Sequence, residues 1–157
     1  MSFEDDDGEF GWFFRLIPFV AIPVFIAVLW WAPSLPKPPA NTNVFGCYVA
    51  TASPPILLDA SGMHVKQLGF PAIPYHLEQL KTGIALTAEA PIRADKTQAG
   101  YRFAVNSRGI GLFMPFYRVE NGQTYGVFEV SLLAGFQMLD SGGNFINYAP
   151  ADPASCT

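Results

Sequence analysis

The hydrophobic positions divide the chain into two parts with different patterns. From Phe10 to Ala32 the residues are almost continuously apolar, and Arg15 is the one charge among them. At a rise of about 1.5 Å per residue, a helix over this run reaches roughly 34 Å, which is enough to cross a hydrocarbon core of about 30 Å. The pattern therefore predicts one transmembrane helix over residues 10–32. An acidic tail over residues 1–9 precedes it, and a Pro-rich, extended spacer over residues 33–43 follows it.

The flanks of the apolar run favour a retained anchor over a cleaved signal peptide. The region before the run is acidic rather than basic, and the run ends in Trp30-Trp31-Ala32-Pro33 instead of a small-residue cleavage site. Tryptophans stand at both of its ends, as in the aromatic belts that form at the two membrane interfaces. The side chains expected to anchor the span are Trp12, Phe13, Phe14, Phe19, Phe25, Trp30 and Trp31.

From Val44 onward the pattern changes to short apolar runs separated by Gly, Pro, Asn and Asp. Such runs, many with period-two alternation, are typical of half-buried strands. Residues 59–62, 120–123 and 140–143 have the composition of hairpin turns. The sequence therefore predicts a mainly β protein, in which the N-terminal transmembrane helix is followed by an all-β sandwich or small barrel over residues 44–157.

Within this domain we assign the elements from local pattern. Residues 124–133 are predicted as the return strand of a hairpin, with Phe128, Val130 and Leu132 on its buried face. Residues 76–81 are predicted as a single helical turn, and residues 91–100 as a polar connection. Further strands are predicted over 44–52, 56–58, 63–68, 83–88, 101–106, 111–119, 136–139 and 144–148.

The two cysteines bear on the compartment. Cys47 and Cys156 stand at the two ends of the predicted domain, and the ends of a domain often lie close together. We predict that they form a disulfide, which would require an oxidising compartment, although two buried thiols are the alternative. A short tail before a span and a long domain after it also fit a translocated domain. We therefore expect a single-pass protein of the inner membrane with its C-terminal domain in the periplasm.

Charge and motif patterns exclude several function classes. The domain carries nearly balanced charge and no Lys/Arg cluster, which argues against nucleic acid as a partner. Asp59, Ser61 and His64 lie within six residues, but the first two are explained by turn chemistry, and a catalytic triad gathers its members from separate elements. The sequence has no metal-ligand spacing, dinucleotide fingerprint or P-loop. We expect no enzyme activity, cofactor or metal.

One apolar segment is the best candidate for a partner surface. It is apolar on both faces, and Pro115, which has no N–H to donate to a ladder, predicts an edge strand or a bulge. An apolar edge strand is normally covered, either by the domain's own loops, such as residues 69–75, or by a partner subunit. The residues of this predicted partner-binding segment are Leu112, Phe113, Met114, Pro115, Phe116 and Tyr117.

These observations together favour a non-catalytic accessory subunit of a larger membrane protein complex, in contact with both an integral membrane protein and the lipid bilayer. Respiratory, photosynthetic and envelope assemblies would all fit. The alternative is a membrane-tethered periplasmic module that binds a small ligand through tyrosines. A membrane-anchored hydrolase is a third possibility, with Ser61 and His64 as its one local candidate. The tyrosines of the ligand-binding alternative are Tyr101, Tyr117, Tyr125 and Tyr148.

Overall fold

The computed structural model describes residues 39–105 and 113–157, together with the single position Pro23. The predicted anchor otherwise lies outside the described residues, with its aromatic side chains, and so does Leu112. Within the part of the chain that is described, none of the helices combines the length and the apolar character that a membrane crossing needs.

Eleven strands and three short 3₁₀ turns make up the described part of the domain. The 3₁₀ turns are Asn41–Val44, Val130–Leu132 and Pro153–Cys156. The strands are β1 (Gly46–Ala50), β2 (Ser53–Asp59), β3 (Gly62–Val65), β4 (Tyr75–Leu80), β5 (Gly83–Ala88), β6 (Ile92–Thr97), β7 (Gly100–Val105), β8 (Phe113–Glu120), β9 (Gln123–Gly126), β10 (Gly135–Leu139) and β11 (Phe145–Ala151).

Most of the strands form one antiparallel sheet that nearly closes on itself. Its order is β3-β2-β1-β11-β10-β8-β5-β4, and β9 pairs with the far end of β8. Met63 and Ile73 exchange two backbone hydrogen bonds of 2.8 and 3.0 Å, which bring β3 beside the segment that leads into β4. The mainly β fold, nearly closed and barrel-like, confirms the coarse prediction from the sequence.

The hairpin of β6 and β7 forms a second, two-stranded sheet against this barrel. The backbone N–H of Tyr101 donates to the carbonyl of Ala52 (2.7 Å), and that of Ser141 donates to the carbonyl of Ala94 (2.8 Å). Ile92, Ala94 and Phe103 on its inner face are almost fully buried. The hairpin is therefore part of the same core as the main sheet.

Two side-chain amides replace missing strands at the edges of these sheets. Asn41 donates to the carbonyl of Tyr75 (3.1 Å) and accepts from the N–H of Leu77 (3.2 Å), and so covers part of the outer edge of β4. Gln67 both donates to and accepts from the backbone of Phe103, at 2.8 Å each, along the free edge of β7. The covered parts of these edges are not free to pair with another chain.

The interior of the sheet is filled by its own side chains. Phe136 lies at the centre of an aromatic cluster, stacked on Tyr148 and also in contact with Tyr48 and Phe116. The Tyr148 hydroxyl donates to the carbonyl of Pro54 (3.0 Å), so this buried polar group is satisfied. The largest fully buried side chains are Tyr148, Phe103, Phe116, Phe136, Ile56, Leu58, Met63, Ile73, Leu86, Ile92, Met114 and Met138.

The assignments over 76–81 and 91–100 were wrong. The first segment lies almost entirely in β4, which pairs with β5 over six residues. The second contains β6, which pairs with β7 over six residues. In both segments polar residues occupy the outward face, so the local sequence resembles a helical turn or a loop, and the tertiary pairing decides the structure.

The prediction of one long return strand over 124–133 was also wrong. β9 ends at Gly126, and Val127, which follows it, turns inward and is buried. Of the three residues predicted to face the core, Phe128 and Leu132 are instead 61% and 52% exposed, whereas Val130 is partly buried and packs against the core. The backbone N–H of Ile84 donates to the carbonyl of Val127 (2.6 Å), which directs the chain away from β8 at this point.

The prediction of an edge strand over 111–117 was wrong as well. β8 lies inside the sheet, paired with β5 through Phe113–Pro115 and with β10 through Phe116 and Tyr117. Pro115 is tolerated there because the pairing of β8 with β10 starts one residue later, at Phe116. The proline, which has no N–H group, therefore lies just outside that ladder.

Asp140 joins the β10–β11 turn to the β6–β7 hairpin. Its buried carboxylate accepts from the backbone N–H groups of Gly142 and Asn144 (2.8 Å each), from the Asn144 amide and from the Tyr101 hydroxyl (3.3 Å). The bond from the Asn144 backbone is the largest cause that lowers the pKa of Asp140 below its ordinary value of 3.8. The folded state therefore favours the ionised form of the Asp140 carboxyl group.

Replacing Asp140 by asparagine is expected to lower the thermal midpoint of unfolding at pH 7 by several degrees. The asparagine side chain would place its own N–H group against the backbone N–H groups and the Tyr101 hydroxyl that donate to the carboxylate in the wild-type protein. Because the pKa of Asp140 is lower in the folded state, the ionised carboxylate stabilises the fold above about pH 4, and this contribution is lost as the pH falls further. Thermal midpoints between pH 7 and pH 2 should converge for the two proteins. A difference that stays constant with pH would contradict this role.

Candidate functional site

The predicted disulfide between Cys47 and Cys156 is confirmed. The bond joins β1 to the 3₁₀ turn Pro153–Cys156 across a sequence separation of 109 residues, with the two Cα atoms 5.8 Å apart. Both cysteines are almost fully buried. Asp152 caps the turn by accepting from the backbone N–H of Ala154 at 2.9 Å. The bond therefore fixes the C-terminal residues to the start of the first strand.

The predicted partner-binding segment contributes mainly to the core. Met114 and Phe116 are fully buried, and Tyr117 is almost buried. Phe113 is the exposed member among its described residues, at 53%. The role of the segment in binding a partner stays a prediction, and Phe113 is the residue on which that prediction now depends.

Asp59, Ser61 and His64 do come together, at the hairpin turn between β2 and β3. Oδ1 of Asp59 accepts from the backbone N–H of Ser61 (2.7 Å) and from its hydroxyl (2.6 Å). Nε2 of His64 lies 2.8 Å from the Ser61 hydroxyl and 3.2 Å from Oδ1 of Asp59. The hydrogen bond from the Ser61 hydroxyl is the largest cause that lowers the pKa of Asp59.

This arrangement differs from a catalytic triad in its hydrogen bonds. A triad uses the two ring nitrogens separately, Nε2 for the serine and Nδ1 for the carboxylate. Here Nε2 of His64 faces both partners, and the Ser61 hydroxyl donates to Asp59 rather than to the imidazole. The three side chains instead stabilise the two-residue turn that closes at the Asp59–Gly62 pair.

The tyrosines of the ligand-binding alternative do not line a common site. Tyr148 and Tyr117 are buried, and the Tyr101 hydroxyl donates to Asp140. Tyr125 is exposed on β9, where its hydroxyl donates to Gln123 at 2.6 Å. A small cavity of about 300 Å³ does lie beside the Asp59–Ser61 turn, with Tyr75 on its wall. It lies at the surface, outside the filled interior of the sheet.

The most apolar exposed segment is one that the sequence did not predict as a surface. β8 and β9 extend beyond the rest of the sheet as a two-stranded arm, in which every residue of β9 is exposed. We call the arm surface the set of large exposed apolar side chains on this arm and on the loop after it. Its members are Val119, Tyr125, Phe128 and Leu132, four of the nine such side chains among the described residues.

The arm surface is held in a defined conformation. The Asn121-Gly122 turn has positive φ at both positions, 52° and 76°, as a two-residue hairpin turn requires. The Arg118 guanidinium lies 5.7 Å from the centre of the Tyr125 ring and pairs with Glu120 at 3.2 Å. The sequence did not predict this surface: residues 128–132 alternate as a strand would, but Val130–Leu132 is a 3₁₀ turn, in which Val130 packs against the core and Leu132 is exposed.

Comparison with protein families, with curated proteins and with solved structures found no match to this chain.

Proposed function

We propose that this chain is a membrane-anchored, non-catalytic subunit of a larger membrane protein complex, with its β domain in the periplasm. The observation that carries the proposal is a disulfide-closed domain that directly follows a long apolar run. Structural disulfides persist in oxidising compartments, and an apolar run of this length retains a domain at a membrane.

The filled interior of the domain supports a structural role over the binding of a ligand inside the sheet. A small-molecule site is normally a concave, largely preformed cavity. The space inside this sheet is occupied by Phe136, Tyr148 and the side chains packed around them. The polar side chains of the Asp59–Ser61 turn are engaged with one another. Because the interior is filled and the polar groups of this turn bind one another, we expect the domain to act through the rest of its outer surface.

The arm surface is the part of the outside that best fits a partner protein. Val119 and Tyr125 lie on opposite faces of the arm in the β8–β9 register, so each face carries an exposed apolar side chain. Exposed apolar surface of this kind marks sites of interaction. Three antiparallel pairings connect β1 to β8, so the start of β1 and the end of β8 lie at the same end of the sheet. The arm therefore extends from the end at which the chain enters β1. We propose that it docks on an apolar face of the partner's periplasmic part.

The anchor is tested by extraction. Vesicles that contain the full chain are washed with alkaline carbonate, and a membrane-impermeant thiol reagent is applied with and without reductant. We expect the chain to stay in the membrane fraction and its cysteines to be labelled from the periplasmic side only after reduction. Release by carbonate, or free thiols that face the cytoplasm, would overturn the proposal.

Docking is tested by replacing Phe128 and Leu132 together by serine. Both side chains are more than half exposed, so folding should be unaffected, whereas the minority of interface residues that act as anchors each cost more than about 1 kcal/mol of binding free energy when truncated. We expect partner recovery to fall about tenfold when a tag after Thr157 is used to purify the chain from mild detergent.

The matched control is Phe145→Ser, since Phe145 is exposed to a similar extent, 57%, on another strand. It should leave the recovery of the partner unchanged. An equal loss in both variants would contradict docking through the arm. Recovery of the unmodified chain alone, as a monomer, would contradict the proposed function itself.

A further inference from the structure

An open groove of about 510 Å³ lies between the loop after β3 and the β6–β7 hairpin. Residues 67–71 form one wall, and the outer face of the hairpin forms the other. The groove is separate from the arm surface and shares no residue with it. Its volume is within the range of sites that bind small molecules or a few residues of a peptide.

The two walls of the groove are fixed relative to each other. The Gln67 amide exchanges two hydrogen bonds of 2.8 Å with the backbone of Phe103 on β7. On the same wall, the Phe70 ring packs edge-on against the Phe103 ring, with centroids 6.5 Å apart. A ligand would therefore meet a preformed site and would not need to order the loop, which lowers the entropic cost of binding.

Among the described residues, the hairpin wall carries a net positive charge, because the one carboxylate of Asp95 faces two arginines. Asp95 accepts from Arg93 at Nε (2.8 Å) and Nη2 (2.7 Å), which compensates one of the two arginines. Arg102 lies opposite Asp95 in the β6–β7 register, yet in the described ranges it forms no ion pair. Its guanidinium is thus available for a carboxylate, which it can bind with two parallel hydrogen bonds.

The lip of the groove is apolar. Leu68, at the tip of the loop, is fully exposed and borders the groove. An arginine and an apolar side chain on one groove recognise a ligand that carries a carboxylate and a hydrocarbon group together. Because the site is concave and its walls are fixed, a protruding peptide side chain fits it better than the flat surface of a bilayer does.

We propose that this groove binds an extended peptide segment of a partner protein, in which a carboxylate side chain reaches Arg102 and a neighbouring apolar side chain packs on Leu68. The proposal goes beyond the proposed function and does not depend on the membrane anchor or on the arm surface. The sequence alone gave no sign of the site, because Arg93 and Arg102 reach the same face only through the register of the hairpin.

The test measures the binding of labelled peptides to the full chain in neutral detergent micelles. The probes are two pools of hexapeptides, in which Leu and Phe alternate either with Glu and Asp or with Gln and Asn. We expect saturable binding of the acidic pool only, seen as a rise in fluorescence anisotropy and weakened by salt. Arg102→Gln should weaken binding about tenfold or more, as expected for a charge-assisted hydrogen bond.

Two further variants keep the test decisive. Lys81→Gln removes an exposed cation outside both the groove and the arm surface and should leave binding unchanged. Leu68→Ser alters only an exposed loop side chain and should weaken binding several-fold, which gives a second readout if Arg102→Gln fails to fold. The proposal is overturned if the two pools bind equally, if Lys81→Gln matches Arg102→Gln, or if the chain prefers phosphatidylglycerol vesicles to the acidic pool. None of these outcomes bears on partner recovery through the arm.

Discussion

Replacement of Cys47 and Cys156 together by alanine is expected to lower the free energy of unfolding of the β domain by about 4–5 kcal/mol. The disulfide spans a sequence separation of 109 residues, and in the chain-entropy account the stabilisation grows with the loop that a crosslink closes. Total stabilities of single domains are only about 5–15 kcal/mol. Loss of this one bond therefore removes a large share of what holds the domain folded.

The measurement is denaturant or thermal unfolding of the full chain in neutral detergent, with the intact protein and the double variant side by side. For a domain of this size, each kcal/mol corresponds to about 4 °C, so the thermal midpoint should fall by about 15–20 °C. Alanine is used because serine would place a hydroxyl in a buried position. Reductant should lower the midpoint of the intact protein and leave that of the variant unchanged. Equal midpoints for the two proteins without reductant would contradict the prediction.

The hairpin turns are the part of the fold that the sequence predicted best. Asp59 and Asp140 each accept the N–H two residues on, which is the turn chemistry expected of aspartate. Asn121 and Gly122 adopt the positive φ angles that their types favour. Each of these signals is local, so a few neighbouring residues were enough to fix where two strands meet and in which register.

Elements whose structure depends on distant partners were not predictable in this way. His76–Leu80 contains good helix formers, Leu, Glu and Gln, yet lies in β4 because β5 pairs with it and the Asn41 amide covers its outer edge. Residues 92–97 carry three charges, Arg93, Asp95 and Lys96, and only the hairpin with β7 turns Ile92 and Ala94 into the core. Local propensity gave no information about either pairing.

The disulfide, the arm surface and the groove also differ in whether the sequence could predict them. The disulfide could be predicted because only two cysteines exist and they lie at the two ends of the domain. The arm surface could not, because the alternation over 128–132 predicts one strand face, whereas Val130–Leu132 is a 3₁₀ turn that packs Val130 on the core and exposes Leu132. The groove could not, because it needs the Gln67 amide to find the backbone of Phe103, 36 residues away.

Replacement of Phe136 by alanine is expected to cost about 3–5 kcal/mol of unfolding free energy. Phe136 is fully buried on β10, and its ring contacts Tyr48 and Tyr148 with centroids 5.1 Å away, and Phe116 at 6.0 Å. Removing a buried phenylalanine loses its transfer free energy and leaves a cavity that the neighbours fill only in part. Since three aromatic contacts meet at this ring, its loss also removes the edge-to-face and stacked geometry that each of them supplies.

Phe145→Ala provides the matched control, because it removes the same side chain from the adjacent strand at a position that is mostly exposed. Its cost should stay within about 0.5 kcal/mol, as for most surface substitutions. Phe136→Leu, which retains most of the apolar volume, should fall between the two. The three variants are compared by urea unfolding at constant slope, so that a change in midpoint reports stability. If Phe136→Ala and Phe145→Ala shift the midpoint equally, then the aromatic cluster does not hold the sheet together, and the filled interior no longer supports a structural role for the domain.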